Sequence, residues 1–236
     1  MIAVVDYHKG NLKSVERGLI GVGGKAQITD DPAVIAQADA IVLPGVGAFA
    51  DAANTMVQLG QMQVLRDRIA EGVPFLGICL GLHLMFEGGV EDAPVDEAGT
   101  VYPVAGIGAL PGVVEALPRV GSDGKPYKIP HVGWNNADFV PRPGAGASNA
   151  VSSESPLFAN VKDGEFFYFT HSYYAPDSPA TIATTTHSIT FTSAVQKGNA
   201  FGVQFHPEKS SDAGAVVLKN FVNICREACG GSVVIS

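Results

Sequence analysis

The chain has 236 residues, of which 46% are hydrophobic and 16% charged; this balance gives a globular protein with a substantial core and excludes an intrinsically disordered one. A net charge of −8 argues against nucleic acid or an anionic membrane as the main partner. No run approaches the roughly 18 apolar residues of a membrane span, and the opening MIAVVDYHKGN has neither a basic leader nor a long apolar region, so a cytoplasmic protein is expected.

IAVVD (2–6) reads as a short buried strand. A helix follows over 10–24, with Leu12, Val15, Leu19 and Ile20 at helical spacing and Gly23-Gly24 as its stop. ADAIVLPG (38–45) is a second buried strand, 48–71 a helix ended by Gly72, VPFLGI (73–78) a third strand and LGLHLMFEG (80–88) a helix. Strands that are apolar on both faces and alternate with helices predict a parallel sheet covered on both sides. Residues 88–127 lack helical periodicity. The segments 164–175, 180–186, 189–196 and 200–205 are β-rich, KGN (197–199) signals a tight turn, and 211–228 is a closing helix with Ser211 or Asp212 as N-cap. The small-residue stretch 142–155 reads as a mobile loop. The expectation is one α/β domain over 1–236: a mostly parallel, flavodoxin-like central sheet flanked by helices, with added antiparallel strands.

Three cysteines, an odd number, give no disulfide framework. Cys225 and Cys229 form neither a CxxC redox pair nor a zinc knuckle and read as inert. Cys79 differs. FLGICLGL places it between glycines at a strand-to-helix junction, the pattern of a nucleophile elbow. A helix N-terminus beside the sulfur favours thiolate and offers N–H groups to a developing oxyanion. The elbow alone leaves an inert, buried cysteine the more common outcome. A thiolate also needs a base, and the base an orienter. AFGVQFHPEKS supplies both: His206 and Glu208, two residues apart at a strand end, can point to the same side if the backbone stays extended.

GICLG together with QFHPE resembles the class I, triad-type glutamine amidotransferases. The resemblance implies a catalytic triad of Cys79, His206 and Glu208, hydrolysis of glutamine through a γ-glutamyl thioester, and transfer of ammonia to a synthase. DYHKGNLKSV (6–15), LPGVGAF (43–49), KIPHVGWN (128–135) and YFTHSYYA (168–175) are similar to motifs of one branch, the glutaminase subunits of imidazole glycerol phosphate synthases. They occur in the branch's order and cover essentially the whole chain. The stretch 88–127 carries no signature.

The branch implies further assignments. Gly45, Val46, Gly47 and Leu80 form the oxyanion hole. His83, Glu91, His171, Ser172 and Tyr173 bind L-glutamine. Asn11, His131, Trp134, Asn135, Tyr168 and Lys209 meet a (β/α)8 barrel cyclase in a heterodimer. That cyclase converts the ribonucleotide PRFAR to imidazole glycerol phosphate and AICAR. No cofactor and no metal are implied. Most relatives carry glutamine where this chain has His83. A histidine gains charge below about pH 6.5, so pH-sensitive substrate binding is one expectation there and a neutral pocket-wall histidine the other. Two other function classes remain open: a non-catalytic regulatory relative, and a partner-independent γ-glutamyl hydrolase or peptidase of the same fold.

Overall fold

A computed structural model describes residues 1–141 and 155–230; the loop expected over 142–155 therefore lies almost wholly outside the described residues. In chain order the elements are β1 (Ile2–Val5), α1 (Leu12–Gly21), β2 (Ala26–Thr29), α2 (Pro32–Gln37), β3 (Ala40–Gly45), α3 (Phe49–Gln58), α4 (Gln61–Ala70), β4 (Phe75–Cys79), α5 (Leu80–Leu84) and β5 (Phe86–Gly89). There follow β6 (Val104–Ala105), β7 (Leu110–Ala116), β8 (His131–Phe139), β9 (Glu165–His171), β10 (Tyr173–Tyr174), β11 (Thr181–Thr186), β12 (Thr190–Lys197), β13 (Ala200–Val203) and α6 (Ser211–Ala228).

Among the described residues the main sheet has nine strands in the order β2-β1-β3-β4-β13-β12-β11-β8-β9. The first five run parallel and the rest antiparallel. A smaller sheet, β10-β7-β5-β6, lies beside it. The strict alternation of a strand sorts the parallel half into two cores. Ile2, Val4, Ala40 and Val42 join the cluster under α1 and α6, with Leu218 and Phe221. Ala3, Val5, Ile41 and Leu43 join the opposite cluster with Phe49, Met56 and Leu65 of α3 and α4. Both faces of β1 and β3 are buried, which is why these strands read as unbroken apolar runs.

Several expectations need correction. The helix expected over 48–71 is two, broken at Gly60, whose φ of 71° no helix interior holds. The helix expected over 80–88 is only Leu80–Leu84, and Phe86–Gly89 is a strand instead. Ile20 is 52% exposed rather than part of the core stripe of α1. The N-cap of α6 is Ser210, not Ser211 or Asp212, and Ser211 starts the helix at φ 48°. The KGN turn does close a hairpin, with Lys197 opposite Ala200.

Candidate active site

The parallel strands β3, β4 and β13 are neighbours, and their C-terminal ends lie level: Gly45 pairs with Cys79, and Val203 with Ile78. Ligand chemistry in such sheets sits beyond these ends. Here the chain delivers the PGVG loop from β3, Cys79 from β4 and the His206-Pro207-Glu208 turn from β13 to one edge.

The elbow at Cys79 is tight for a readable reason. Cys79 itself has φ 54° and ψ −107°, a strained conformation for a side-chain-bearing residue. The helix after it folds straight back on the sheet. A Cβ at Gly81 would stand 1.7 Å from the Leu43 carbonyl oxygen, and one at Gly77 2.6 Å from the Gly81 carbonyl oxygen. Only glycine at both positions lets α5 lie against β3 and β4. Gly45 is equally constrained, since a Cβ there would meet the Tyr7 hydroxyl at 1.9 Å. The freedom in the PGVG loop therefore sits at Gly47, with φ 103° and open space around it, and at the exposed Val46.

His206 and Glu208 meet, but not through an extended backbone. Pro207–Lys209 is a 3-10 turn, and it brings Glu208 Oε1 to 2.8 Å from His206 Nδ1. Ser210 holds that turn in place. Its hydroxyl donates to the His206 carbonyl at 2.7 Å and accepts from the Tyr168 N–H at 3.0 Å, while the His206 N–H reaches the Tyr168 carbonyl at 2.9 Å. Burial opposes charge on His206, but the Cys79 sulfur and the Glu208 carboxylate outweigh it and push the imidazole pKa up to about 10. His206 Nε2 has no hydrogen-bond partner among the described residues. The raised pKa still reflects the Cys79 sulfur, through both hydrogen-bonding and charge.

Cys79 opens into a cavity of about 390 Å³ lined by Val46, Leu80, His83, Glu91, Pro130 and the Thr170–Tyr173 segment. His83 is buried at 4% exposure, and its Nε2 lies 2.6 Å from Gln204 Oε1. Gln204 in turn donates to the Cys79 sulfur at 3.7 Å, so His83 Nε2–H is the donor to the Gln204 oxygen. Burial lowers the His83 pKa to about 4, against a smaller opposing effect of the Gln204 contact. His83 is therefore neutral near pH 7, which speaks for the neutral pocket-wall histidine of the two expectations.

The class-I glutamine amidotransferase profile matches residues 3–225. The curated HisH subunit of imidazole glycerol phosphate synthase from Moorella thermoacetica is 44% identical over 229 residues, 96% of each chain. That from Syntrophotalea carbinolica is 41% identical over 224 residues, 94% of this chain and 98% of the relative. The chain belongs to the HisH branch of the class-I glutamine amidotransferases. Among solved structures, a glutamine amidotransferase superposes with a TM-score of 0.64 at 14% identity, covering 98% of this chain and 100% of that one. The glutaminase domain of Trypanosoma brucei CTPS gives 0.59 at 16% identity, covering 100% and 96%. At such identity these two likenesses speak for the fold alone.

Other positions of this HisH-type chain can be placed against that background. Glu91 lines the cavity, but one carboxylate oxygen accepts from the Phe49 N–H at 3.1 Å at the start of α3, and burial raises its pKa. His171, Ser172 and Tyr173 all line the cavity. Of the expected interface residues, Asn11 and Lys209 are exposed, Trp134 is 52% exposed and Tyr168 half-buried. Trp134 and Tyr168 face each other across β8 and β9, their rings 6.3 Å apart. His131 is corrected: it is 4% exposed and lies on the buried face of β8. Asn135 shares that face and donates to His131 Nε2 and the Thr186 carbonyl.

Gln204 and Ser210 were missed by sequence reasoning. Gln204 stands two residues before His206 in an otherwise apolar strand end, and a lone glutamine there is a weak signal for a buried contact. Among the described residues no cluster of His, Cys, Asp or Glu could hold a metal ion, and no helix is long and apolar enough to cross a membrane.

Proposed function

We propose that the chain hydrolyses L-glutamine to glutamate and ammonia and delivers the ammonia to a cyclase subunit. The observation that carries this reading is the edge where Cys79, on a strained elbow, meets the His206–Glu208 pair from the adjacent strand over a cavity of about 390 Å³. The Cys79 thiolate attacks the side-chain amide carbon of glutamine. The oxyanion is received by the Leu80 N–H and an N–H of the Gly45–Gly47 loop, donors worth a few kcal/mol each. His206, charged and held by Glu208, gives its proton to the departing nitrogen, which leaves as ammonia. Neutral His206 then takes a proton from water, the resulting hydroxide breaks the thioester, and glutamate leaves with the thiolate restored. Glu91 faces the substrate ammonium, and the His171–Tyr173 wall its carboxylate. His83 keeps the hydrogen-bonding role of the glutamine found in relatives.

The partner is a (β/α)8 cyclase that uses the ammonia to turn PRFAR into imidazole glycerol phosphate and AICAR. The exposed apolar face of β8 and β9, with Val132, Trp134 and Phe166 each more than half exposed, supports a partner surface there. The test is glutamate release, measured with and without the cyclase subunit and PRFAR. Low basal release that rises with both, and is abolished in Cys79→Ala, is expected. A rate indifferent to partner and PRFAR favours a partner-independent hydrolase. Release that persists in Cys79→Ala removes the triad assignment.

A further inference from the structure

The antiparallel register of β8 and β9 sets His131 directly opposite His171, and the two side chains bond: His131 Nδ1 to His171 Nε2 at 3.0 Å. At one end, His171 Nδ1 lies 2.8 Å from the Tyr173 carbonyl oxygen. At the other, Asn135 Nδ2 lies 3.2 Å from His131 Nε2. In a flat strand, residues four apart stand about 13 Å apart at Cα, but Gly133 between them has φ 137° and breaks the regular extension.

Hydrogen-bond chemistry fixes every proton in this row. A carbonyl can only accept, so His171 carries its proton on Nδ1. Its Nε2 must then accept, which puts the His131 proton on Nδ1 as well. His131 Nε2 accepts in turn, and the Asn135 amide donates. The row thus runs one way, from Asn135 through two imidazoles to the Tyr173 carbonyl, and it works only with both rings neutral. Both are held so: burial, reinforced by His187, lowers the His131 pKa to about 4, and burial takes His171 well below the usual range. The ring planes are fixed too. His131 stacks between His187, at 4.3 Å, and Phe169, at 5.0 Å, and His171 meets Phe191 edge-on at 5.0 Å. His187 is itself tied to the Lys128 carbonyl at 2.9 Å.

We propose that His131 is a positioning residue for the substrate cavity: the one-way row Asn135–His131–His171–Tyr173 locks both imidazoles as Nδ1–H tautomers and so holds the Ser172–Tyr173 wall in place. The other face of the same two strands carries Trp134 and Tyr168, so anything that shifts the strands shifts the row and the wall together. The assignment rests on the reading of this cavity as the glutamine site. The wall touches the bound amino acid rather than the reacting amide, so loosening it weakens binding more than chemistry.

The experiment has two arms. Nitrogen-15 NMR of the imidazoles in the whole protein is expected to show Nδ1–H tautomers at His131 and His171; Nε2–H signals at both would overturn the row. Glutaminase kinetics with the cyclase subunit present are expected to show the KM for glutamine raised at least about 5-fold in His131→Phe, which keeps the ring stack, with kcat within about 2-fold. His131→Gln, which can donate to His171 and accept from Asn135, is expected to return KM to within about 2-fold of wild type. An unchanged KM in His131→Phe, or kcat and folding stability lost together without rescue by glutamine, overturns the proposal. A wild-type protein that releases no glutamate refutes the functional reading, and the NMR arm still decides the row.

Discussion

His83 gives a prediction whose size follows from its burial. The folded protein holds this imidazole pKa at about 4, against 6.5 for an unperturbed histidine. A lowered histidine pKa means that the neutral form is favoured by folding. Its contribution is fully present above pH 6.5 and is lost as pH falls toward 4, because the unfolded chain gains a proton that the folded one refuses. One-proton linkage between these two values gives a loss of about 2 kcal/mol between pH 7 and pH 5. His83→Gln retains a donor for the Gln204 oxygen and removes the titration. Urea unfolding of wild type and variant at pH 7 and pH 5 measures the difference of differences. His131 and His171 also resist protonation, but they do so in both proteins and cancel. The variant should lose about 2 kcal/mol less on acidification, while the pH dependence of kcat/KM between pH 6 and 8 stays the same in both. Equal acid sensitivity of the two proteins would show that His83 is not held neutral by burial and would refute the argument.

Glu208→Gln keeps the shape of the pair but removes the charge that holds His206. A drop in kcat of roughly 10²- to 10⁴-fold, with the alkaline limb of the pH–rate profile moved to lower pH, is expected from steady-state glutaminase assays; a loss under 10-fold would deny Glu208 its orienting role. Gly81→Ala gains about 1 kcal/mol of helix propensity but drives a Cβ to 1.7 Å from the Leu43 oxygen. Net destabilisation of about 2 kcal/mol or more and a lower kcat are expected, because α5 must retreat and take the Leu80 N–H with it; denaturant unfolding and the same assay decide. The Tyr7 hydroxyl is buried without a hydrogen-bond partner among the described residues. Tyr7→Phe should therefore stabilise the protein by about 1 kcal/mol, a rise of a few degrees in Tm, and a fall in Tm would mean the hydroxyl is in fact paired.

The parallel half of the fold was legible because its strands are buried on both faces. β1, β3, β4 and β13 are apolar from end to end, and nothing else competes for such runs. β2 and α2 escaped notice: AQIT is four residues with only Thr29 buried, and PAVIAQ is six residues, under two turns, with only Ile35 buried. The stretch from Leu80 to Gly88 read as one helix because Met85 and Phe86 continue the apolar pattern of Leu80–Leu84, while the chain turns there to seed the smaller sheet. At the site, Cys79, His206 and Glu208 stood out because their types and spacing carry chemistry. The histidine row did not. It exists only through the register that sets residue 131 against residue 171, and no local pattern encodes a pairing across forty positions.

The strand that brings His206 follows every other described strand in sequence and yet lies in the middle of the sheet, between β4 and β12. Cys79 and Gln204, whose side chains hydrogen-bond, are 125 residues apart in sequence. The place beside β4 is therefore filled only after residues 200–203 have been made, and long-range insertions of this kind are slow to form. Until β13 docks, Cys79 has no base, no orienter and no Gln204 contact. The full triad therefore exists only once the segment 200–208 is in place beside β4.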